Sequence, residues 1–325
     1  MTALGLLASV AFAQPSAVEW SGLAFIDYSY LLAADAPGAE GANGFDYRRI
    51  YLTADASLDD DLRARVRLEA QGRSTTAQGR PAPFVKDAWI RWTYAPSGHR
   101  AQLGVQPPPL FQVSEQVWGY RSLARTLVDR AGIRDSRDLG LRLDGPLAAG
   151  GDLRYAVMVG NGNGVGPEAP GDRGKRVYGQ LGFAPNDAVR ATLGADYESS
   201  TPAGGVRQES ARISAFVGAV TERYRVGTEA YVLRTDTDPD SDATEDGFGV
   251  SVFGVVEVAP RVSVIARYDY LDDDAVEVRA DEHYVLGAVS YRISPAVWVM
   301  PNVTVTLPDD QDAHALGRVT TYVRF

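Results

Sequence analysis

Residues 62–73 read Leu62-Arg63-Ala64-Arg65-Val66-Arg67-Leu68-Glu69-Ala70-Gln71-Gly72-Arg73, a strict alternation of aliphatic and polar side chains. Successive side chains of an extended strand point to opposite faces. Leu62, Ala64, Val66, Leu68 and Ala70 therefore share one face, and Arg63, Arg65 and Arg67 share the other. A soluble sheet buries its apolar face in a thick core and mixes its polar face. Here the apolar row is thin and the polar row is a ladder of guanidiniums, the pattern of a wall with lipid on one side and water on the other.

The same two-faced pattern extends in both directions. Trp20, Ala24, Ile26, Tyr28 and Tyr30 alternate with Glu19, Ser21, Asp27 and Ser29, and Ile50, Leu52, Ala54 and Ala56 alternate with Arg49, Tyr51, Thr53 and Asp55. Turn signals cut the chain into segments of about ten residues, the length a tilted strand needs to cross a bilayer. Short breaks fall at 59–61, 95–98, 145–151, 184–187, 221–223, 259–261 and 293–295. Longer polar connections fall around 33–44, 73–83, 107–136, 161–175, 199–208, 234–246, 271–282 and 307–315. Seven short turns and eight long loops predict sixteen strands with both ends on the periplasmic side, and bacterial barrels need an even number. Segments 137–146 and 246–258 are the weakest strands of this set. Trp92, Tyr94, Tyr197, Tyr224, Tyr268 and Tyr270 sit near predicted strand ends, where amphipathic rings favour the headgroup zone. The chain closes on Val319-Thr320-Thr321-Tyr322-Val323-Arg324-Phe325, a strand with an aromatic terminus. The expected fold is an all-β transmembrane antiparallel barrel of about sixteen strands.

Composition agrees. There is no cysteine, and a closed barrel satisfies its backbone hydrogen bonds without disulfide staples. Beyond the first residues there is no apolar run of the roughly 20 residues that a membrane-crossing helix needs. A net charge of −10 argues against a nucleic-acid partner. Lys86 and Lys175 are the only lysines, so the cations are almost all planar, permanently charged guanidiniums. Leu4 to Phe12 is a short apolar stretch, and Ala11-Phe12-Ala13 offers small residues at a cleavage position, so residues 1–13 read as a signal peptide and 14–325 as one barrel domain. No Lys or Arg precedes the apolar stretch, and an apolar first strand is the alternative.

Several stretches resemble a known family. Phe45-Asp46-Tyr47-Arg48-Arg49-Ile50-Tyr51-Leu52 leads into the Arg63-Arg65-Arg67 strand and then Val85-Lys86-Asp87-Ala88-Trp89-Ile90. Gly104-Val105-Gln106-Pro107 exits into a long loop carrying Glu115 and several arginines, and Ala266-Arg267-Tyr268-Asp269-Tyr270-Leu271 lies near the end. Together these resemble the phosphate-selective porin O and P family across nearly all of residues 14–325. The resemblance implies a trimeric, sixteen-stranded diffusion channel in which an arginine ladder and a ring of lysines select phosphate. This chain departs from that pattern in having almost no lysine, which leaves a general anion or solute channel as the expectation.

The third long loop, 107–136, is the longest and the one expected to fold inward. Val117, Tyr120, Ala124 and Leu127 have helix-like spacing, with Arg121, Arg125, Arg130 and Arg134 recurring among them. In the lumen these arginines would form one wall of a constriction facing Arg63, Arg65, Arg67 and Arg91, with Arg267 also pore-lining. Glu115, Asp129 and Asp135 would orient them. Rings of Arg at a narrow waist attract anions. Two alternatives stand beside this. The loop could stay outside against a neighbouring subunit, and the ladder could be a salt-bridged wall neutralised by Asp55, Glu69 and Asp87, as Asp196, Glu198, Glu229, Glu257 and Asp269 suggest for the far wall.

No catalytic or cofactor constellation emerges. His99, His283 and His314 lie far apart, whereas a barrel hydrolase needs a base held beside its nucleophile. The acidic loop 236–246 has Ser241 and Gly247 where a calcium-binding EF-hand loop has glycine and glutamate, so it reads as a solvated loop. With Asp272 to Asp274 and Asp309 to Asp312 it makes the outer mouth acidic and able to meet lipopolysaccharide through divalent ions. Gly160-Asn161-Gly162-Asn163-Gly164 lacks a following Lys-Ser/Thr and reads as a hairpin loop. The functional expectation is passive diffusion of small hydrophilic solutes, biased toward anions including phosphate, through a homotrimer in outer-membrane lipid. A non-selective or cation-preferring pore and a plugged barrel acting as adhesin or anchor are the alternatives.

Overall fold

The computed structural model describes residues 17–34, 38–72, 75–76, 80–131, 136–148, 150–166, 174–201, 207–238, 243–273, 281–309 and 312–325. The expected signal peptide, Arg134, Asp135 and the middle of the acidic 236–246 loop lie outside the described residues.

Sixteen strands pair antiparallel in chain order, and the first closes on the last. They are β1 (Ala17–Ala33), β2 (Asn43–Ser57), β3 (Leu62–Ala70), β4 (Phe84–Thr93), β5 (Arg100–Gln106), β6 (Asp138–Pro146), β7 (Leu153–Gly160) and β8 (Arg176–Phe183). The second half comprises β9 (Val189–Ser200), β10 (Gln208–Val220), β11 (Tyr224–Asp238), β12 (Ala243–Ala259), β13 (Val262–Asp273), β14 (Glu282–Ser294), β15 (Val297–Pro308) and β16 (His314–Arg324). The two weakly patterned segments are β6 and β12. Closure runs from Leu23 opposite Arg324 to Ala33 opposite Ala315, and Gly22 and Phe325 exchange backbone hydrogen bonds at its foot. Closure removes the exposed edges that a sheet in lipid could not satisfy.

Alternation decides which face each residue takes. Ile50 and Leu52 of β2, Val66 and Leu68 of β3, and Leu139, Leu141 and Leu143 of β6 point outward and are exposed. Arg49, Tyr51 and Thr53 point into the lumen and are buried. Trp92, Tyr94, Tyr197, Tyr224 and Tyr268 are exposed near the strand ends, where a headgroup girdle belongs. If this outer face meets hydrocarbon, Val66→Arg destabilises the barrel by about 2–4 kcal/mol at the bilayer midplane. Denaturant unfolding from lipid vesicles reads this directly; an unchanged midpoint would remove Val66 from the lipid face.

The wall is uneven: β5 has seven residues, whereas β1 and β12 have seventeen each. The chain leaves β5 into the long third connection, which folds inward. It contains α1 (Gln112–Trp118) and α2 (Leu127–Arg130) rather than the single helical run that the spacing of Val117, Tyr120, Ala124 and Leu127 suggested. Gly119 ends α1 in the left-handed conformation, φ 70°, with its N–H donating to the Glu115 carbonyl.

Candidate functional site: an arginine-lined waist

The third loop lies in the lumen because it carries apolar residues that the opposite wall receives. Val117, Trp118 and Leu123 join Phe216, Phe253, Ile265, Leu286 and Met300, contributed by β10 and β12 to β15, in one buried cluster. Leu110, Phe111, Leu127 and Val128 join Met158, Tyr178, Tyr231 and Leu271 in a second. Trp118 donates its indole N–H to the Ala124 carbonyl at 2.9 Å, tying the end of α1 to the descending segment. Both helices share one polar anchor. Glu229 of β11 accepts from the Ser114 hydroxyl at 2.6 Å and from the Val128 N–H at 3.1 Å. Gln180 and Arg212 hold the loop carbonyls of Leu110 and Ala131, each at 2.8 Å.

The charges of this far wall are consumed internally. Arg176 pairs with Asp196 and Glu198, and Arg212 pairs with Asp196. Arg267 does not line open lumen as the sequence suggested. It is buried, fixed on Asp269 by bonds of 2.7 and 2.6 Å, and donates to the Arg125 carbonyl, which makes it a strut beneath the loop. Alternation alone aimed Arg267 correctly, but the inward loop covers it.

Open space remains between the loop and the wall of β1 to β4. Most of the ladder there is paired. Arg65 binds Asp55 at 2.6 Å, Arg67 binds Asp87 at 3.1 Å, and Arg49 and Lys86 share Glu69 at 2.8 and 3.3 Å. Arg137 also pairs with Asp87. Arg121 reaches Asp129 at 3.0 Å and Glu115 at 3.5 Å. Arg91 donates to Gln102 at 2.6 Å and lies over the Trp89 ring. Arg63, at the foot of β3, is exposed and makes no ion pair among the described residues. The structure thus brings Arg67, Arg121 and Glu115 together, places Arg125 just above them, and leaves Arg63, Arg65 and Arg91 nearer the short-turn side.

Pairing does not cancel the field, because the pairs have a direction. Arg48 is 31 % exposed against 4 % for Asp27, Arg67 20 % against 2 % for Asp87, and Arg121 19 % against 0 % for Asp129. In these three pairs the guanidinium faces the lumen and the carboxylate sits behind it, whereas Asp55 and Glu115, each 35 % exposed, are more open than their partners Arg65 and Arg121. Tyr51 supports Arg67 and Arg49 from below, with guanidinium carbons 4.9 and 5.3 Å from the ring centre, which orients both without neutralising either.

A β-bulge opposite Phe25 and Ile26 adds one more cation to this face. Arg49 pairs with Phe25 and Tyr47 with Ile26, so Arg48 is the extra residue. It reaches Asp27 at 2.8 Å and the Ser122 carbonyl of the inward loop at 2.5 Å. Two consecutive arginines thereby enter the lumen from one strand, which strict alternation forbids and a bulge permits.

Two cavities of about 220 and 300 Å³ share Phe25, Arg49 and Arg121, and a third of about 370 Å³ on the short-turn side shares Gly119, Ser122 and Tyr322 with the first. They form a path along the lumen. Seven arginines and three carboxylates among the described residues line the first two. Enclosure pushes the Glu115 carboxyl above the usual carboxylate range, with Arg121 pulling it back. Acidification therefore neutralises Glu115 at a higher pH than a free glutamate and leaves Arg121 less opposed. Anion preference is expected to rise as pH falls through that window, read as zero-current potential against pH. A Glu115→Gln channel should lack this step.

No catalytic constellation appears among the described residues. His99 meets the Tyr155 hydroxyl and His283 the Tyr268 hydroxyl, and no group of His, Asp and Glu is arranged to hold a metal ion.

A family model described as Gram-negative porin matches residues 1–307. Among solved structures, the anion-selective porin from Comamonas acidovorans superposes with a TM-score of 0.75 at 13 % identity, covering 95 % of this chain and 99 % of that one. The trimer form of OmpT, an outer membrane protein of Vibrio cholerae, superposes with a TM-score of 0.68 at 12 % identity, covering 95 % and 99 %. OmpF of Salmonella typhi, solved with daunomycin, gives 0.64 at 13 % identity, covering 95 % and 97 %. No curated protein sequence matches the chain.

Proposed function

This chain belongs to the Gram-negative porin family, an outer-membrane channel rather than an enzyme in fold and kinship, and from that premise we propose that it passes small hydrophilic anions by diffusion through its arginine-lined waist. The observation that carries this reading is the orientation of three waist ion pairs, Arg48–Asp27, Arg67–Asp87 and Arg121–Asp129, each with its guanidinium toward the lumen and its carboxylate buried behind it. Low-dielectric walls focus such a field, raising the local concentration of anions and depleting cations. No bond is made or broken. A passing anion exchanges part of its hydration shell for guanidinium N–H donors and leaves because several equivalent donors follow.

Phosphate and small carboxylates both suit bidentate guanidinium donors. Lys86 is held on buried Glu69, so arginines, not a lysine ring, supply the selectivity. Arg67, Arg121 and Arg125 are the proposed selecting residues, joined by Arg48, Arg49 and Arg137. Arg63, Arg65 and Arg91 are proposed to act as the lower ladder. A homotrimer in lipid and lipopolysaccharide is the proposed assembly, supported by the exposed aromatic girdles and by the trimer form of the OmpT structure.

Liposome swelling tests the reading. Vesicles carrying the protein should swell faster in gluconate than in an uncharged sugar of similar size, and Arg49→Gln/Arg121→Gln should abolish the difference. Equal rates in the unmodified channel would contradict anion selection.

A further inference from the structure

The waist opens toward the short turns into the cavity of about 370 Å³, and its lining differs from that of the waist. Five arginines converge on it from four places in the chain: Arg223 from the turn before β11 and Arg225 from the start of β11, Arg261 from the turn between β12 and β13, Arg292 from β14, and Arg324 from β16. Glu222 and Glu257 line the same space, but neither forms an ion pair with them among the described residues. Arg225 and Arg324 donate to backbone carbonyls of Gln116 and Pro295, which fixes them without cancelling their charge. Arg223, Arg261 and Arg292 have no carboxylate partner among the described residues. This contrasts with the waist, where Arg48, Arg49, Arg67, Arg121 and Arg137 each pair with a carboxylate.

A second observation marks this ring as built. Arg261 is the one non-glycine residue with positive φ among the described residues, at 70°. A bulky side chain there costs of order 1–2 kcal/mol relative to glycine or asparagine. The Arg292 N–H is donated to the Arg261 carbonyl at 2.9 Å, so this turn also sets where the neighbouring arginine emerges. Strain held at a turn that aims an unpaired guanidinium into a cavity is hard to attribute to folding alone.

The cavity also has an aromatic inner end. Trp298 and Tyr322 stack with centroids 5.1 Å apart at 22°, and the Arg324 guanidinium lies 5.0 Å from the Trp298 ring centre. Tyr120 of the inward loop completes the aromatic lining. A hydrated inorganic ion uses only the charge of such a site. A ring carrying carboxylates uses both parts, its ring against the aromatic end and its carboxylates on the guanidiniums. The space suffices, since a cavity of roughly 150 Å³ accepts a benzene ring.

We propose that this vestibule is a binding site for small aromatic carboxylates, separate from the selective waist and facing the periplasm. It concentrates ring-bearing anions at the inner mouth, so that their passage is governed by two sites in series. The proposal stands whether or not the waist is anion-selective, because it concerns different arginines.

Calorimetric titration of the detergent-solubilised barrel with phthalate, succinate and inorganic phosphate tests it. Phthalate should bind several-fold more tightly than either comparator. Arg261→Gln/Arg292→Gln should weaken phthalate by about ten-fold or more, the loss of charge-assisted hydrogen bonds, while Arg49→Gln/Arg67→Gln should leave it nearly unchanged. Arg223→Gln, on an exposed turn, gives a milder loss in a barrel whose folding is not at risk. Phthalate bound no better than succinate or phosphate would overturn the ring recognition. Unaltered affinity in the vestibule variants, or loss of binding in the waist variant, would overturn the site.

Discussion

Trp118→Ala should open the waist: single-channel conductance rises, ion selectivity falls, and the barrel loses about 3–5 kcal/mol, the usual cost of truncating a buried tryptophan. Trp118 is fully buried against Phe253, with ring centroids 4.9 Å apart, and its indole N–H closes the loop on Ala124. Removing it leaves a void between loop and wall and frees one loop carbonyl. The loop retains its Glu229 anchor, so the channel should fluctuate between conductance levels rather than lose the constriction entirely. Paired measurements of single-channel current and denaturant midpoint separate the two effects. A destabilised barrel with unaltered conductance would mean that the loop does not set the waist.

Arg49→Glu/Arg121→Glu should turn the channel cation-selective. The two side chains line both cavities at the waist, and reversing them changes the local charge by four units. A unit charge contributes about 0.8 kcal/mol at 5 Å in water, so four units shift relative ion partition by about 3 kcal/mol, roughly a hundred-fold before salt screening. Asp129 would then lose its partner at 3.0 Å and Glu69 would keep only Lys86 as an ion-pair partner, so the freed carboxylate charge would add to the reversal. Arg63→Glu, at the exposed foot of β3, should change permeability far less. The permeability ratio for potassium and chloride reads both, and equal shifts would place the selective region below the waist.

Much of this architecture is legible in the sequence, because a membrane wall enforces alternation. The Leu62–Arg73 pattern gave the faces of β3 correctly, and the spacing of turns gave sixteen strands with their order. The inward course of the loop after β5 is legible in its length, against the alternative of a loop packed outside on a neighbouring subunit. Four features were not. The loop helices are interrupted at Gly119, whose left-handed conformation overrides the apolar periodicity of Val117, Tyr120, Ala124 and Leu127. Arg48 enters the lumen through a bulge, which depends on pairing with β1 and leaves no mark in β2 alone. Arg267 lies under the loop, a matter of tertiary cover. A signal for that cover does exist: Val252-Phe253, Val264-Ile265 and Val285-Leu286 are apolar on both faces, which a strand between lipid and water has no reason to be. Phe253, Ile265 and Leu286 are the residues that receive Val117, Trp118 and Leu123.

The direction of the ion pairs is the least legible feature and the one on which selectivity rests. Sequence shows Arg63, Arg65 and Arg67 near Asp55, Glu69 and Asp87, and equal numbers suggest a neutral wall. Asp87 is sunk behind Arg67, so that pair still presents a cation to the lumen, whereas Asp55 is as open as Arg65.

The most direct measurement is the zero-current potential of the unmodified channel in a planar bilayer across a potassium chloride gradient, at low and at high ionic strength. The account requires a potential of the sign set by chloride, shrinking as salt screens the waist, and reduced in Arg49→Ala/Arg67→Ala/Arg121→Ala. A potential of the sign set by potassium, unaffected by that triple substitution, would mean that the acidic outer loops govern selectivity and that the oriented ion pairs serve only the wall.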